Sequence, residues 1–293
     1  MESQYAENIK NGLKVEVLSN SNKIVRGIVD EVLSKNSYQM YGVMVRLKSG
    51  EIGRVQKIVY SDGEKNEKNF SEIEKLMLSG ESLNVEFKSS ALWSLDYTNE
   101  DIHKSKSYEV HSHKQKASKV IIAKSICALL NSEGGSLIIG IKEKKDTGQK
   151  SNLTLQSKAS SQLDFSPISP SPKQTPEGLG DENIFEITGI QDELKKLVDS
   201  SKDGYRRMIM DDVLRSYFPS KIYNHINDYI KIEFIDVVVN EVNRILCWIR
   251  IRRSDVKVFL QLVGKEVFMI RTDTQSRALE GEELVDYCIK RFK

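Results

Sequence analysis

Cysteine is scarce in this chain: Cys127, Cys247 and Cys288 lie far apart, odd in number, each within an apolar stretch. They offer no disulfide framework and read as buried thiols. The four histidines form no Cys/His cluster with zinc-ligand spacing; only His111 and His113 are close, in polar surroundings that suggest a loop. No apolar run approaches the length of a membrane span, and the opening MESQYAENIKNG has no signal-peptide core, so a cytoplasmic location is expected. The basic excess is small, 44 residues against 42, a net charge of +2. A protein devoted to duplex DNA usually carries more, so any contact with nucleic acid must rest on local patches. Proline is also rare, and four of the five fall within residues 146–184. That stretch is rich in Ser and Gln, lacks either hydrophobic period, and is expected to be disordered.

What is present begins with a small all-β unit. Residues 13–18 alternate at period two, residues 20–23 make a polar turn, and residues 24–33 resume the strand pattern with Gly27 as a bend or bulge. Residues 42–47 and 52–59, around a turn at 48–50, complete four or five short strands, which suggests a small curled barrel. Arg26, Arg46, Arg54 and Lys57 could line a nucleic-acid-binding face; the polar side of a half-buried sheet is the competing reading. Residues 61–69 contain no apolar side chain and read as a solvated linker, after which Ser71 caps a short helix ended by Gly80.

The run from Glu81 to Lys88 carries the candidate chemistry. Extended, it turns Leu83 and Val85 one way and Ser82, Asn84 and Glu86 the other, with Glu81 just ahead of the strand. Two carboxylates can hold a hard cation through oxygen, and Lys88 can meet phosphate charge. Magnesium- or manganese-dependent phosphodiester cleavage needs such a set; a solvated surface triplet is the bland alternative. Residues 114–130 form a central helix, with Val120, Ala123, Ile126, Cys127 and Leu130 at three- and four-residue spacing. Lys114, Lys116, Lys119 and Lys124 decorate its start and opposite side, either solubilising it or clamping a nucleic-acid backbone. Gly134 and Gly135 close that helix and open a strand, and no Gly-Lys-Ser/Thr follows, which excludes a phosphate-cradling P-loop. The pair suits a sharp reversal beside another backbone. Between strand and helix, Trp93 and Tyr97 either stack on bases or cover the domain's own core. Further on, strands are expected at 229–239, 244–251, 256–262 and 266–271, and an amphipathic helix at 276–292.

Glu81-x-x-x-x-Glu86-Phe87-Lys88, a helix ending in Ala128-x-x-Asn131-x-x-Gly134-Gly135, then Leu137-Ile138-Ile139-Gly140-Ile141 resembles the signature of the Schlafen AlbA-like domain. Ile187-Thr188-Gly189-Ile190 and the run from Phe268 to Thr272 also fit, so the resemblance covers about residues 70–293. Over about residues 8–60 the chain resembles the YwbE-like family, through residues 12–15, 26–29, 42–47 and 50–56. The members of that family are uncharacterised.

These resemblances imply an α+β protein: a Schlafen AlbA-like mixed sheet with packed helices behind an N-terminal small β-barrel. The domains expected are 1–60, a linker at 61–69, and 70–293 with a flap-like insertion near 91–113 and a disordered one near 146–184. The family implies a third acid two residues after Gly-Ile, usually aspartate; here that place holds Glu143, behind Lys142. The implied function is nucleic-acid binding, with divalent-metal-dependent endoribonuclease activity on structured RNA as its enzymatic form. The alternative is a DNA-binding or regulatory module without catalysis. Glu81, Glu86 and Glu143 would ligate Mg²⁺ or Mn²⁺ and Lys88 would steady the phosphate. Lys88, Lys119, Lys124, Arg252 and Arg271 would contact RNA or DNA. Larger relatives face two such lobes across a groove, so this single lobe implies a homodimer.

Overall fold

The computed structural model describes residues 2–60, 62–144 and 184–292. All but residue 184 of the insertion expected near 146–184 lies outside them. The chain divides into two units, Met1–Glu72 and Ile73–Lys293.

In the first unit, β1 (Lys14–Ser19), β2 (Ile24–Val32), β3 (Met44–Leu47) and β4 (Ile52–Ile58) close an antiparallel barrel in which β1 pairs with both β2 and β4. Alternation along the strands sends Val15, Val17, Val29, Val45, Leu47, Val55 and Ile58 inward, joined by Ile9 and Val43. So narrow a barrel brings backbones close. At Gly42, with φ +92°, a Cβ would stand 2.1 Å from the Val55 carbonyl oxygen. Gly27, expected as a bend or bulge, sits in regular register opposite Val15. Its missing side chain makes room for Leu47, whose Cδ1 lies 2.7 Å from the place a Cβ would take. The register instead shifts between Glu16 and Val17 and between Val29 and Glu31. Arg26 pairs with Glu16 at 2.7 Å, Arg46 pairs with Glu31, and Arg54 donates to the Gly42 carbonyl at 3.2 Å.

The linker expected at 61–69 is instead the first half of α1 (Asp62–Ser79), which runs on through Ser71. Glu and Lys are good helix formers, so a segment without apolar residues continues a helix anchored further on by buried Ile73 and Met77.

The second unit starts with β5 (Val85–Lys88), followed by α2 (Asn99–Lys104), α3 (Tyr108–His113) and α4 (Ala117–Asn131). Next come β6 (Gly135–Ile139), β7 (Ile141–Glu143), β8 (Phe185–Ile187), α5 (Gln191–Leu194) and α6 (Lys202–Arg207), which runs into a π-helical segment, Met208–Arg215. α7 (Ser220–Tyr223), α8 (Ile226–Tyr229), β9 (Ile230–Val239), β10 (Val242–Ile251), β11 (Leu260–Leu262), β12 (Lys265–Thr272), β13 (Gln275–Leu279) and α9 (Gly281–Arg291) complete it. The main sheet has the order β5-β6-β10-β9, with β5 parallel to β6 and the other pairs antiparallel. β11-β12-β13 and β7-β8 form separate sheets. This is the α+β mixed-sheet arrangement expected. The β9–β10 hairpin turns on Asn240 and Glu241, whose φ of 49° and 65° match the strand twist in a two-residue turn. Residues 276–279, expected to be helical, belong to β13, because Gln275–Leu279 pairs along β12.

The insertion at 91–113 is a folded element. Thr98 and Asp101 form a capping box on α2, and Ser107 caps α3. Trp93 and Tyr97, with ring centroids 5.2 Å apart, cover a small core of Ile102, Val110 and Ala117. The core-covering reading of these two aromatics therefore holds.

α4 buries every residue except Lys119, Ile121 and Lys124, as a helix packed against β12 and against β6 and β10 must. Its last residue, Asn131, is fully buried. The side-chain amide donates to Val258 O at 2.8 Å and Met269 O at 3.0 Å, and its oxygen accepts from Val258 N at 3.0 Å. Both donor and acceptor capacity are used, which few side chains can provide. Asn131→Leu leaves these backbone groups unpaired and is expected to cost about 3 kcal/mol, read from the urea midpoint; an unchanged midpoint contradicts this role.

Candidate functional site

The site is organised by the double glycine. Gly134 and Gly135 have φ of 75° and 140°. A Cβ on Gly135 would stand 2.0 Å from the Asn84 carbonyl oxygen, and one on Gly134 would stand 2.6 Å from that of Ile251. The start of β6 therefore lies directly against the chain entering β5 and the end of β10, as the sequence suggested. β5 then pairs in register, Glu86 opposite Leu137 and Lys88 opposite Ile139.

Glu81 folds back on this strand and accepts a hydrogen bond from Phe87 N at 2.9 Å. Glu86 is buried. Its Oε1 receives the Lys88 ammonium and the Ser125 hydroxyl at 3.4 Å, while Oε2 faces the Arg271 guanidinium. Arg271 arrives from β12, in another sheet, with only 1% of its side chain exposed. Nε donates to Ser82 O at 3.1 Å, Nη2 to Val85 O at 2.8 Å and Nη1 to Ser276 Oγ at 3.4 Å. Two carboxylates and two cations thus share one corner. Burial pushes the Lys88 ammonium below its usual range, opposed by the Glu81 carboxylate. Burial likewise lowers Arg271, opposed by Glu81 and Asp273.

Of the expected site residues, Glu81, Glu86, Lys88 and Arg271 come together. Glu143 shares no hydrogen bond or ion pair with them among the described residues. The chain turns at Gly140, φ +104°, and carries Glu143 exposed on β7 opposite Phe185. Among the described residues no group of three His, Cys, Asp or Glu side chains is arranged to hold a metal ion. A magnesium or manganese ion needs several oxygen ligands, whereas the Glu86 oxygens face an ammonium and a guanidinium. In this arrangement the residues present do not fit a divalent cation.

The residues expected to contact nucleic acid fare differently. Arg271, with 1% of its side chain exposed, pairs with the local carboxylate Glu86. Lys119 pairs with Asp212 at 2.7 Å and Lys124 with Glu109 at 3.0 Å. Arg252 stays 61% exposed, beside Asp255 at 3.6 Å and over the Tyr229 ring.

Sequence reasoning missed Glu193. This buried carboxylate accepts from Ser90 Oγ, from Leu92 N at 2.8 Å, from Ala91 N at 3.2 Å and from the Tyr205 hydroxyl at 2.5 Å. It holds the turn by which the chain leaves β5. Burial, reinforced by the Glu193 charge, pushes the Tyr205 hydroxyl well above its usual range. A lone glutamate in a four-residue helix gives no sequence signal for this. The three thiols are buried, as expected, and burial pushes Cys127 up to about 12.

Residues 81–208 match the family described as Schlafen, AlbA_2, and residues 2–58 match the uncharacterized conserved protein family DUF2196. The uncharacterized protein YwbE of Bacillus subtilis is 36% identical over 63 residues, covering 97% of YwbE and 20% of this chain. The chain joins a YwbE-family barrel to a Schlafen AlbA_2 domain. The AlbA_2 match opens at Glu81 and includes Glu86, Glu143 and Glu193, whereas Arg271 comes from beyond the matched residues. No helix among the described residues is long and apolar enough to cross a membrane.

Lysine cannot reproduce the guanidinium fork of Arg271. Arg271→Lys is therefore expected to lower stability by about 2 kcal/mol, measured by urea unfolding, because it leaves at least one of Ser82 O and Val85 O unpaired. Wild-type stability in that variant would show that the fork is dispensable.

Proposed function

We propose that the Schlafen AlbA_2 domain is a nucleic-acid-binding module that acts by binding rather than by cutting. The observation that carries the second half of this reading is the state of Glu86. Its charge is met by Lys88 and Arg271, and Glu143, the third acid of the expected metal set, is exposed on β7 with no ion pair to that corner among the described residues. The first half is supported by the AlbA_2 match and by cations left at the surface. Arg252 lies over Tyr229, a pairing of guanidinium and ring that suits a phosphate next to a base. Lys119 and Lys124 are the basic residues of α4, held by Asp212 and Glu109, which a phosphate would have to share them with. With so small a net charge, binding rests on such patches and favours RNA or single-stranded DNA over duplex DNA. Pairing of two copies across a shared groove remains part of the proposal.

The test uses the full-length protein, a structured RNA and a single-stranded DNA, with binding followed by fluorescence anisotropy. Affinity is expected to fall linearly with the logarithm of salt concentration. It is expected to be unchanged by EDTA and by Glu143→Gln. Cleavage of the RNA with Mg²⁺ or Mn²⁺ that is lost in Glu143→Gln would overturn binding without hydrolysis and restore the endoribonuclease reading.

A further inference from the structure

A cavity of about 550 Å³ opens in the second unit beside the start of α4, walled by the end of α3, the end of the π-helical segment and β11 with the turn after it. That volume lies within the range of small-molecule sites. It shares no residue with the Glu86 corner. His113, Lys116 and Lys119 line one side, and Asp212, Ser216 and Tyr217 the other.

Charge in this corner is one-sided. Lys119 is held by Asp212 at 2.7 Å, whereas exposed Lys116 makes no ion pair among the described residues. Burial holds His113 below its usual range, helped by the charges of Lys124 and Lys265 and opposed by Glu109. Of the lining side chains Lys116 and Lys119 are cationic and Asp212 is anionic, a surplus of one positive charge. A phosphate monoester near neutral pH carries close to two negative charges, enough to engage both ammonium groups once Lys119 is shared with it. Walls on several sides also admit a terminus more readily than a strand passing through.

We propose that this cavity seats a terminal phosphate monoester on a nucleotide unit, with Lys116 and Lys119 meeting the charge and the Tyr217 ring walling the base. The unit can be a free nucleotide or the end of a strand. This deepens the nucleic-acid reading and rests on it only for the strand as a source. Asp212 opposes the anion, so its place beside Lys119 sets the affinity low until the lysine is shared with phosphate.

Two formats separate the sources. Calorimetry of the full-length protein uses adenosine 5′-monophosphate against adenosine. Anisotropy uses one RNA oligonucleotide with a phosphate at its 5′ end, at its 3′ end, or at neither. The phosphorylated form is expected to bind about tenfold more tightly in at least one format, consistent with charge-assisted contacts. The pair of substitutions Lys116→Ala and Lys119→Ala should abolish that advantage, and Asp212→Asn should enlarge it about threefold. Lys116 is exposed and Lys119 is largely covered and paired with Asp212, so circular dichroism of the variants checks the fold. Equal, salt-dependent binding of all three oligonucleotides, with no preference for the monophosphate over adenosine, would overturn the pocket and leave the nucleic-acid reading standing. Binding of the monophosphate without binding of any oligonucleotide would support the pocket and overturn that reading.

Discussion

A buried ion pair between Glu86 and Arg271 is the constraint on which the second unit depends. Burying two charges stabilises nothing unless the remaining protons and lone pairs are met. Here they are met by backbone: Arg271 donates to Ser82 O, just ahead of the strand that carries Glu86, and to Val85 O at its start. The pair thus joins two sheets, the edge strand of the larger to the middle strand of the smaller. β5 needs this help. It is four residues long, lies at the edge, and pairs only in parallel with β6, the weaker of the two ladder types. Three devices hold it: the glycine pair that lets β6 approach, Arg271 on its face, and Glu193 at its exit.

The same arrangement decides what chemistry the corner can do. A carboxylate that already faces an ammonium and a guanidinium is a poor ligand for a further cation, because the cation would have to displace both. In this arrangement the motif that led to a metal expectation ties β5 to β12. Under the proposed function, recognition falls to cations elsewhere, Arg252 at the end of β10 above all. The YwbE-family barrel shows a related pattern, with arginines spent on local glutamates and carbonyls.

Much of the fold was legible because local patterns and close approach agreed. Alternation marked the barrel strands, the apolar helix ending at Asn131 was correctly placed, and Gly134-Gly135 announced a backbone contact that the structure contains. Where reading failed, tertiary pairing overrode local signal. Residues 275–279 are a strand because β12 offers them a partner, which no local period reveals. The segment after Ser61 continues a helix whose anchors lie a dozen residues on. The candidate site was legible as a set of residue types but not as an arrangement. Glu86 and Arg271 are 185 positions apart, and spacing cannot say whether an arginine will claim a carboxylate before a metal does. Glu193 carried no signal, since a lone glutamate in a short helix looks like surface.

The most direct measurement is a double-mutant cycle on Glu86→Gln and Arg271→Leu, read by urea unfolding with EDTA present throughout. The account predicts a coupling of about 3 kcal/mol, because each single change strands the other charge in the interior. Additive effects, with coupling near zero, would mean that the two side chains do not depend on each other and would return Glu86 to the role of a free ligand.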